Sequence, residues 1–179
     1  MSSTTTTDVA LTTSTMNLPL LSEPVDSLRS TLADEIKEYH FHLYYFQSNT
    51  KSRESAVAIR NKIGELVEQG YVTVVPQSMH GGVNPGPSGP HVLGSFEVWC
   101  PIEGFARLFS WFTLNRDKHS VLVHPLTKEI LLDHTERAIW MGQPLPLDFD
   151  IFEEDVAEQI PFEHSELGLG YSAKDAIVA

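Results

Sequence analysis

Tyr39-His-Phe-His-Leu-Tyr-Tyr-Phe46 is the stretch on which the fold turns. It is dense in aromatic residues, contains neither glycine nor proline, and reads as a β-strand with two usable faces. Side chains alternate along a strand, so Phe41, Leu43 and Tyr45 share one face while His40, His42 and Tyr44 share the other. The apolar set is expected to meet helices. That leaves two histidines on the open face.

Working outward, Asn49 or Thr50 can cap a helix with an apolar stripe of Val57, Ile59, Ile63, Leu66 and Val67, ended by Gly70. A second strand is predicted over Tyr71–Val75, stopped by Pro76. The Gly/Pro-rich run His80–His91 is a loop, and Ser95–Trp99 a third strand. Pro101 suits the first turn of a second helix carrying Phe105, Leu108, Phe109 and Phe112 at helical spacing. Ser120–His124 is a fourth strand ending at Pro125. Glu129–Asp133 reads as a short extra strand or turn, and Asp133-His134 as a possible N-cap for a helix over Thr135–Trp140. The order βαββαβ predicts an α+β, ferredoxin-like domain: a four-stranded antiparallel sheet with two helices on one face.

The same alternation applies to the other strands. Phe96 and Val98 go under the helices and send Glu97 and Trp99 to the open side; Val121 and Val123 go in and send Leu122 and His124 out. Hydrophobicity alone therefore gathers His40, His42, Glu97 and His124 on one surface. In the ferredoxin-like order the first strand lies between the third and fourth, so these side chains are neighbours. Two histidines and a carboxylate form the donor set expected for non-haem Fe(II), and zinc is also compatible. Each residue also has an ordinary reading. His-x-His pairs occur as plain exposed histidines, Glu97 can be a solvent-facing strand residue, and His124 can close a strand end. His80, His119 and His164 have no converging partners and are read as surface residues.

The bulk properties narrow the function. The 179-residue chain fits one compact domain, here residues 31–150, preceded by a Ser/Thr-rich tail over 1–30 and followed by an acidic segment over 151–179 expected to be a solvated helix or tail. A formal net charge of -12 opposes nucleic acids and anionic membranes, whose recognition needs a concentrated cationic face. No apolar run is long enough to span a bilayer, and the N-terminus lacks the pattern of a secretory signal. The single cysteine, Cys100, cannot form an intramolecular disulfide, which favours a reducing, cytoplasmic setting.

Four ordered blocks resemble the DOPA 4,5-dioxygenase family of fungi and bacteria: Tyr39–Phe46; Gly89-Pro-His91 with Gly94-Ser-Phe-Glu97; Ser120-Val-Leu-Val-His-Pro-Leu-Thr127; and Asp133-His-Thr135 with Trp140-Met-Gly142. The resemblance covers roughly residues 35 to 150. It implies Fe(II)-dependent extradiol cleavage of a catechol such as L-DOPA by dioxygen. It also implies that His91 and His134, which the strand argument does not reach, belong to the site. On that basis His42, His91 and His124 are the expected metal ligands, and His40, His134 and Glu97 the expected catalytic groups. Tyr44 and Trp99 would wall the ring, and Arg107, Arg116 or Arg137 would hold a substrate carboxylate. Two rival readings use the same fold: a metal-independent isomerase, or a small-molecule or zinc-binding protein. An open face bearing Tyr44, Trp99 and Leu122 would be a large apolar patch, covered by a partner or by the chain's own C-terminal segment, and a homodimer is expected.

Overall fold

The computed structural model describes residues 35–77, 82–152, 157–161 and 163–174. The elements are β1 (Glu38–Tyr45), α1 (Thr50–Glu68), β2 (Val75–Gln77), β3 (Gly94–Pro101), α2 (Ile102–Asn115), β4 (Val121–Pro125), α3 (Ile130–His134) and β5 (Ile139–Met141). The sheet order is β2-β3-β1-β4-β5, and every pairing is antiparallel. The ferredoxin-like plan holds, with β1 between β3 and β4, and a fifth strand extends the predicted four.

The helix-facing residues assigned from alternation form the core. Phe41, Leu43 and Tyr45 of β1, Phe96 and Val98 of β3, and Val121 and Val123 of β4 cluster with Ile59 and Ile63 of α1 and Leu108 and Phe112 of α2. The Asn49 side chain accepts from the Ser52 amide and caps α1, and Gly70, at φ 69°, takes the left-handed turn that ends it.

Three local expectations are corrected. The second strand lies at Val75–Gln77 rather than Tyr71–Val75. Val72 and Val74 do enter the core, but the ladder with β3 begins at the Val75–Trp99 pair, so both precede the strand. Pro76 is tolerated inside β2 because this strand is at the sheet edge. Residues 130–134 form one helical turn, and the segment predicted as a helix over 135–140 instead ends in β5, whose Trp140 pairs with Leu122 and stacks on Tyr44 at 5.5 Å. Asp133 does not cap a following helix. Its carboxylate accepts from the Thr127 amide and hydroxyl and from Arg137, which fixes the turn leaving β4.

The expected solvated helix or tail beyond residue 150 does not describe residues 163–174, which form two 3₁₀ turns, Ser165–Leu167 and Gly170–Ser172. They are anchored on the open face of the sheet. The Tyr171 amide donates to Glu38, its hydroxyl donates to the Leu126 carbonyl, and His164 meets the Trp99 ring edge-on at 5.0 Å. Gly170, at φ 59°, lies so close to Glu38 that an added Cβ would stand 2.5 Å from its Cγ. Tyr44, Trp99 and Leu122 are all buried within the chain. The exposed apolar patch from which a homodimer was expected is therefore absent. The tail over 1–30 and His80 lie outside the described residues. Among the described residues no helix is long and apolar enough to cross a membrane.

Tyr45 packs closely against the start of β3. Its hydroxyl donates to the Asn84 carbonyl at 2.7 Å, and a Cβ at Gly94 would meet the ring at 2.6 Å. Gly94→Ala is expected to lower unfolding free energy by about 1–3 kcal/mol in chemical denaturation. An unchanged midpoint would mean that the ring is not held against the strand.

Candidate metal and substrate site

The pairing of β1 with its two neighbours builds the site. In register, His42 faces Glu97 across to β3, and His40 faces His124 across to β4. All four side chains lie on the open face and line one cavity of about 470 Å³. The loop brings His91 to the same cavity and α3 brings His134, so all six residues singled out from the sequence converge. His91 is held there by an antiparallel bridge with Ser88 and another with Leu147.

Hydrogen bonds fix the orientation of the imidazoles. A carbonyl oxygen can only accept, so His124 Nδ1–H donates to the Pro125 carbonyl at 2.8 Å and His134 Nδ1–H donates to the Ile130 carbonyl at 2.9 Å. In each neutral ring this leaves the lone pair on Nε2. His91 Nδ1 is bonded to the Tyr44 hydroxyl at 2.7 Å. The Nε2 atoms of His42 and His124 stand 3.0 Å apart, and His42 Nδ1 is 3.7 Å from a Glu97 carboxylate oxygen.

Burial then sets the charge. Loss of water, followed by the neighbouring imidazoles, holds His42 and His124 well below the ordinary histidine pKa. Burial lowers His134 as well, and it brings His91 down to about 3. His40 goes the other way. Burial pulls it down, but the Glu163 hydrogen bond and the charges of Glu97, Glu163 and Glu38 outweigh this and raise it. The cavity thus has a neutral, lone-pair-rich end at His42, His91, His124 and His134 and an ionisable end at His40, Glu97 and Glu163, where burial raises the pKa of Glu97.

The donor chemistry fits a divalent metal. With His124 bonded through Nδ1 to a carbonyl, its Nε2 presents a lone pair to His42 Nε2 at 3.0 Å. A lone pair in the same place on His42 would be repelled unless a proton or a cation lay nearby. Nitrogen donors at about 2.0–2.1 Å from a common ion would sit about 3 Å apart, which is the spacing found. Imidazole lone pairs whose other nitrogen is tied to a carbonyl are the usual form of a metal-binding histidine. Donor atoms of His42, His91 and His134 lie within 4.8 Å of one another, as do those of His40, His42 and His124. His42 is common to both groups, while His91 and His124 fall in different ones. Glu97 groups instead with His40 and Glu163.

Several expectations about the surroundings change. Tyr44 and Trp99 do not wall the cavity: Tyr44 hydrogen-bonds His91 from behind, and Trp99 donates through Nε1 to Glu38 at 2.9 Å. The apolar lining is Pro90, Pro125, Leu126, Ile130 and Pro161. Arg107 donates to the Tyr71 carbonyl, Arg116 to the His119 carbonyl, and Arg137 to Glu129 and Asp133; none lines the cavity. His119 is buried rather than on the surface, donating through Nδ1 to the Tyr44 carbonyl and meeting the Ser55 hydroxyl at 3.0 Å through Nε2. His164 is partly buried against Trp99.

Glu163 and Gln77 are the site residues that sequence reasoning missed. Glu163 lies 3.3 Å from His40 Nε2 and accepts from Gln77 Nε2 at 2.8 Å. The available signal was Tyr171 and His164 in a segment otherwise read as solvated, since an aromatic residue there calls for something to pack against.

The model of the Dopa 4,5-dioxygenase family matches residues 39–151. The chain is 40% identical over 151 residues to a DOPA 4,5-dioxygenase of Amanita muscaria, covering 84% of this chain and 64% of that protein. It is 36% identical to an uncharacterized 21.2 kDa protein of Botryotinia fuckeliana, covering 63% of this chain and 62% of that one. It therefore spans less than two thirds of the length of either relative. A crystal structure of a Nostoc punctiforme protein, provisionally described as a dioxygenase, superposes with a TM-score of 0.58 at 27% identity, over 69% of this chain and 96% of that chain. The span matched by the family model takes in His40, His42, His91, Glu97, His124 and His134 and leaves out Glu163. On the family match and the 40% identity, this chain belongs to the Dopa 4,5-dioxygenase family.

Proposed function

We propose that this protein is a non-haem Fe(II)-dependent extradiol dioxygenase that opens the ring of a catechol such as L-DOPA. The observation that carries the reading is the pair of buried Nε2 atoms of His42 and His124, 3.0 Å apart, at the neutral end of the cavity. Fe(II) would be held there by His42, His124 and His91. Open positions on such a site suit oxygen chemistry. Bound iron would coordinate the catechol oxygens and dioxygen and would lower the pKa of the catechol.

The chain's own residues supply the rest. The Pro125 carbonyl and Tyr44 hydroxyl lock the rings of His124 and His91, so the donor atoms do not need to be ordered on binding. Pro90, Pro125, Leu126, Ile130 and Pro161 give an apolar slot for a flat ring and exclude water from it. His134, with its ring 3.9 Å from that of His124 and its Nδ1–H given to Ile130, keeps a lone pair at Nε2 that can take a catechol proton. His40, backed by Glu97 and Glu163, is the proton donor on the opposite side.

Anaerobic reconstitution with Fe(II), followed by L-DOPA and air, is expected to consume dioxygen and give a yellow ring-opened product. A colourless mixture with L-DOPA intact would reject the reading. His42→Ala and His124→Ala are each expected to weaken Fe(II) binding by about 100-fold or more while keeping the native circular dichroism. His91→Ala should weaken binding too, whereas His134→Ala should keep iron and lose turnover. The reverse pattern for the last two would exchange their roles.

A further inference from the structure

The electrostatics of the cavity carry a statement about the side chain of the substrate, which rests on the ring-opening reading above. Lysine and arginine number twelve in this sequence, and every one except Arg29 lies among the described residues. None of those eleven lines the cavity. Three carboxylates do: Asp133, Glu97 and Glu163. Asp133 is paired with Arg137 at 2.9 Å, which leaves Glu97 and Glu163 facing His40 at 3.5 and 3.3 Å. The two carboxylates share the one imidazole of His40; burial raises the pKa of Glu97, so Glu163 is the one held charged.

Glu163 is not placed there by His40 alone. It lies on the C-terminal segment, which is pinned to the sheet by Tyr171, by the close packing of Gly170 on Glu38 and by His164 against Trp99. The Gln77 amide donates to the same carboxylate oxygen that His40 meets. Burial raises its pKa, but the contacts with His40 and Gln77 outweigh this and keep the group below its ordinary value, so it remains charged.

We propose that Glu163 is a specificity-determining residue, whose fixed charge at the His40 end of the cavity makes the site select catechols with a cationic side chain over those with a carboxylate side chain. An anionic tail entering this end meets no lysine or arginine among the described residues, and the one basic group there, His40, is already engaged by Glu97 and Glu163. A primary ammonium meets acceptors already oriented.

The test uses the full chain loaded with Zn(II), which cannot turn over, and titrates catechol, dopamine and dihydrocaffeate by calorimetry. Dopamine is expected to bind about tenfold or more tighter than dihydrocaffeate at low salt, with the ratio shrinking as salt is added. Glu163→Gln, which keeps a hydrogen-bonding side chain of the same size, should cut the ratio to about threefold or less. Equal or tighter binding of dihydrocaffeate, with catechol itself bound, overturns the selectivity and leaves the ring-binding reading standing. A wild-type preference unaffected by the substitution overturns the role of Glu163. If that variant fails to fold, the salt dependence in the wild type decides, because a salt-insensitive ratio also overturns the proposal. Failure of catechol to bind overturns both this proposal and the reading on which it rests.

Discussion

The antiparallel register of β1 between β3 and β4 is the constraint on which everything else depends. It sets His42 opposite Glu97 and His40 opposite His124 on one face, and Phe41 opposite Val98 and Val123 on the other. Strand side chains have a period of two, so a slip of one residue would move the aromatic set out of the core and the histidines into it. The hydrophobic effect that seats Phe41, Leu43 and Tyr45 under the helices therefore also specifies which histidines meet. Core and site are two faces of one choice of register.

That choice carries a cost. Four imidazoles held neutral in a buried cluster lose hydration, and their inward lone pairs find few protein donors. The backbone offsets part of this by accepting Nδ1–H from His124 and His134. The remaining lone pairs are oriented for a cation, and binding one would return that cost as stability of the folded state. At the start of β1, on the same open face as His40, Glu38 is fully buried, and burial pushes its carboxyl up in pKa; Trp99 and Tyr171 supply the hydrogen bonds that make its position tolerable.

What the sequence revealed and what it withheld follow from the range of the interactions. Alternation along Tyr39–Phe46 is local and strong, and it led correctly to the sheet order, to the core residues of three strands and to the convergence of His40, His42, Glu97 and His124. His91 and His134 sit on a loop and on a single helical turn, where no periodicity exists. Only the resemblance at Gly89-Pro-His91 and Asp133-His-Thr135 pointed to them. The failures were of long range. Trp140 was read into a helix because nothing nearby announces its pairing with Leu122 and its stacking on Tyr44. Glu163 was passed over because its partners, His40 and Gln77, lie 123 and 86 residues away along the chain. His119 was misjudged for the same reason, since the Tyr44 carbonyl that buries it belongs to another strand.

The C-terminal segment closes the structure over the face that β1 opens, so the ionisable end of the cavity is assembled from residues at the two ends of the folded unit, His40 and Glu163. Of these residues only Glu163 lies outside the family match, and the central claim is that a metal sits at the neutral end. Anomalous diffraction at the iron edge, on crystals grown anaerobically with Fe(II), measures this directly. The account predicts a peak within bonding distance of the Nε2 atoms of both His42 and His124. An iron-replete crystal with no peak at those atoms, or with its peak elsewhere, would contradict it.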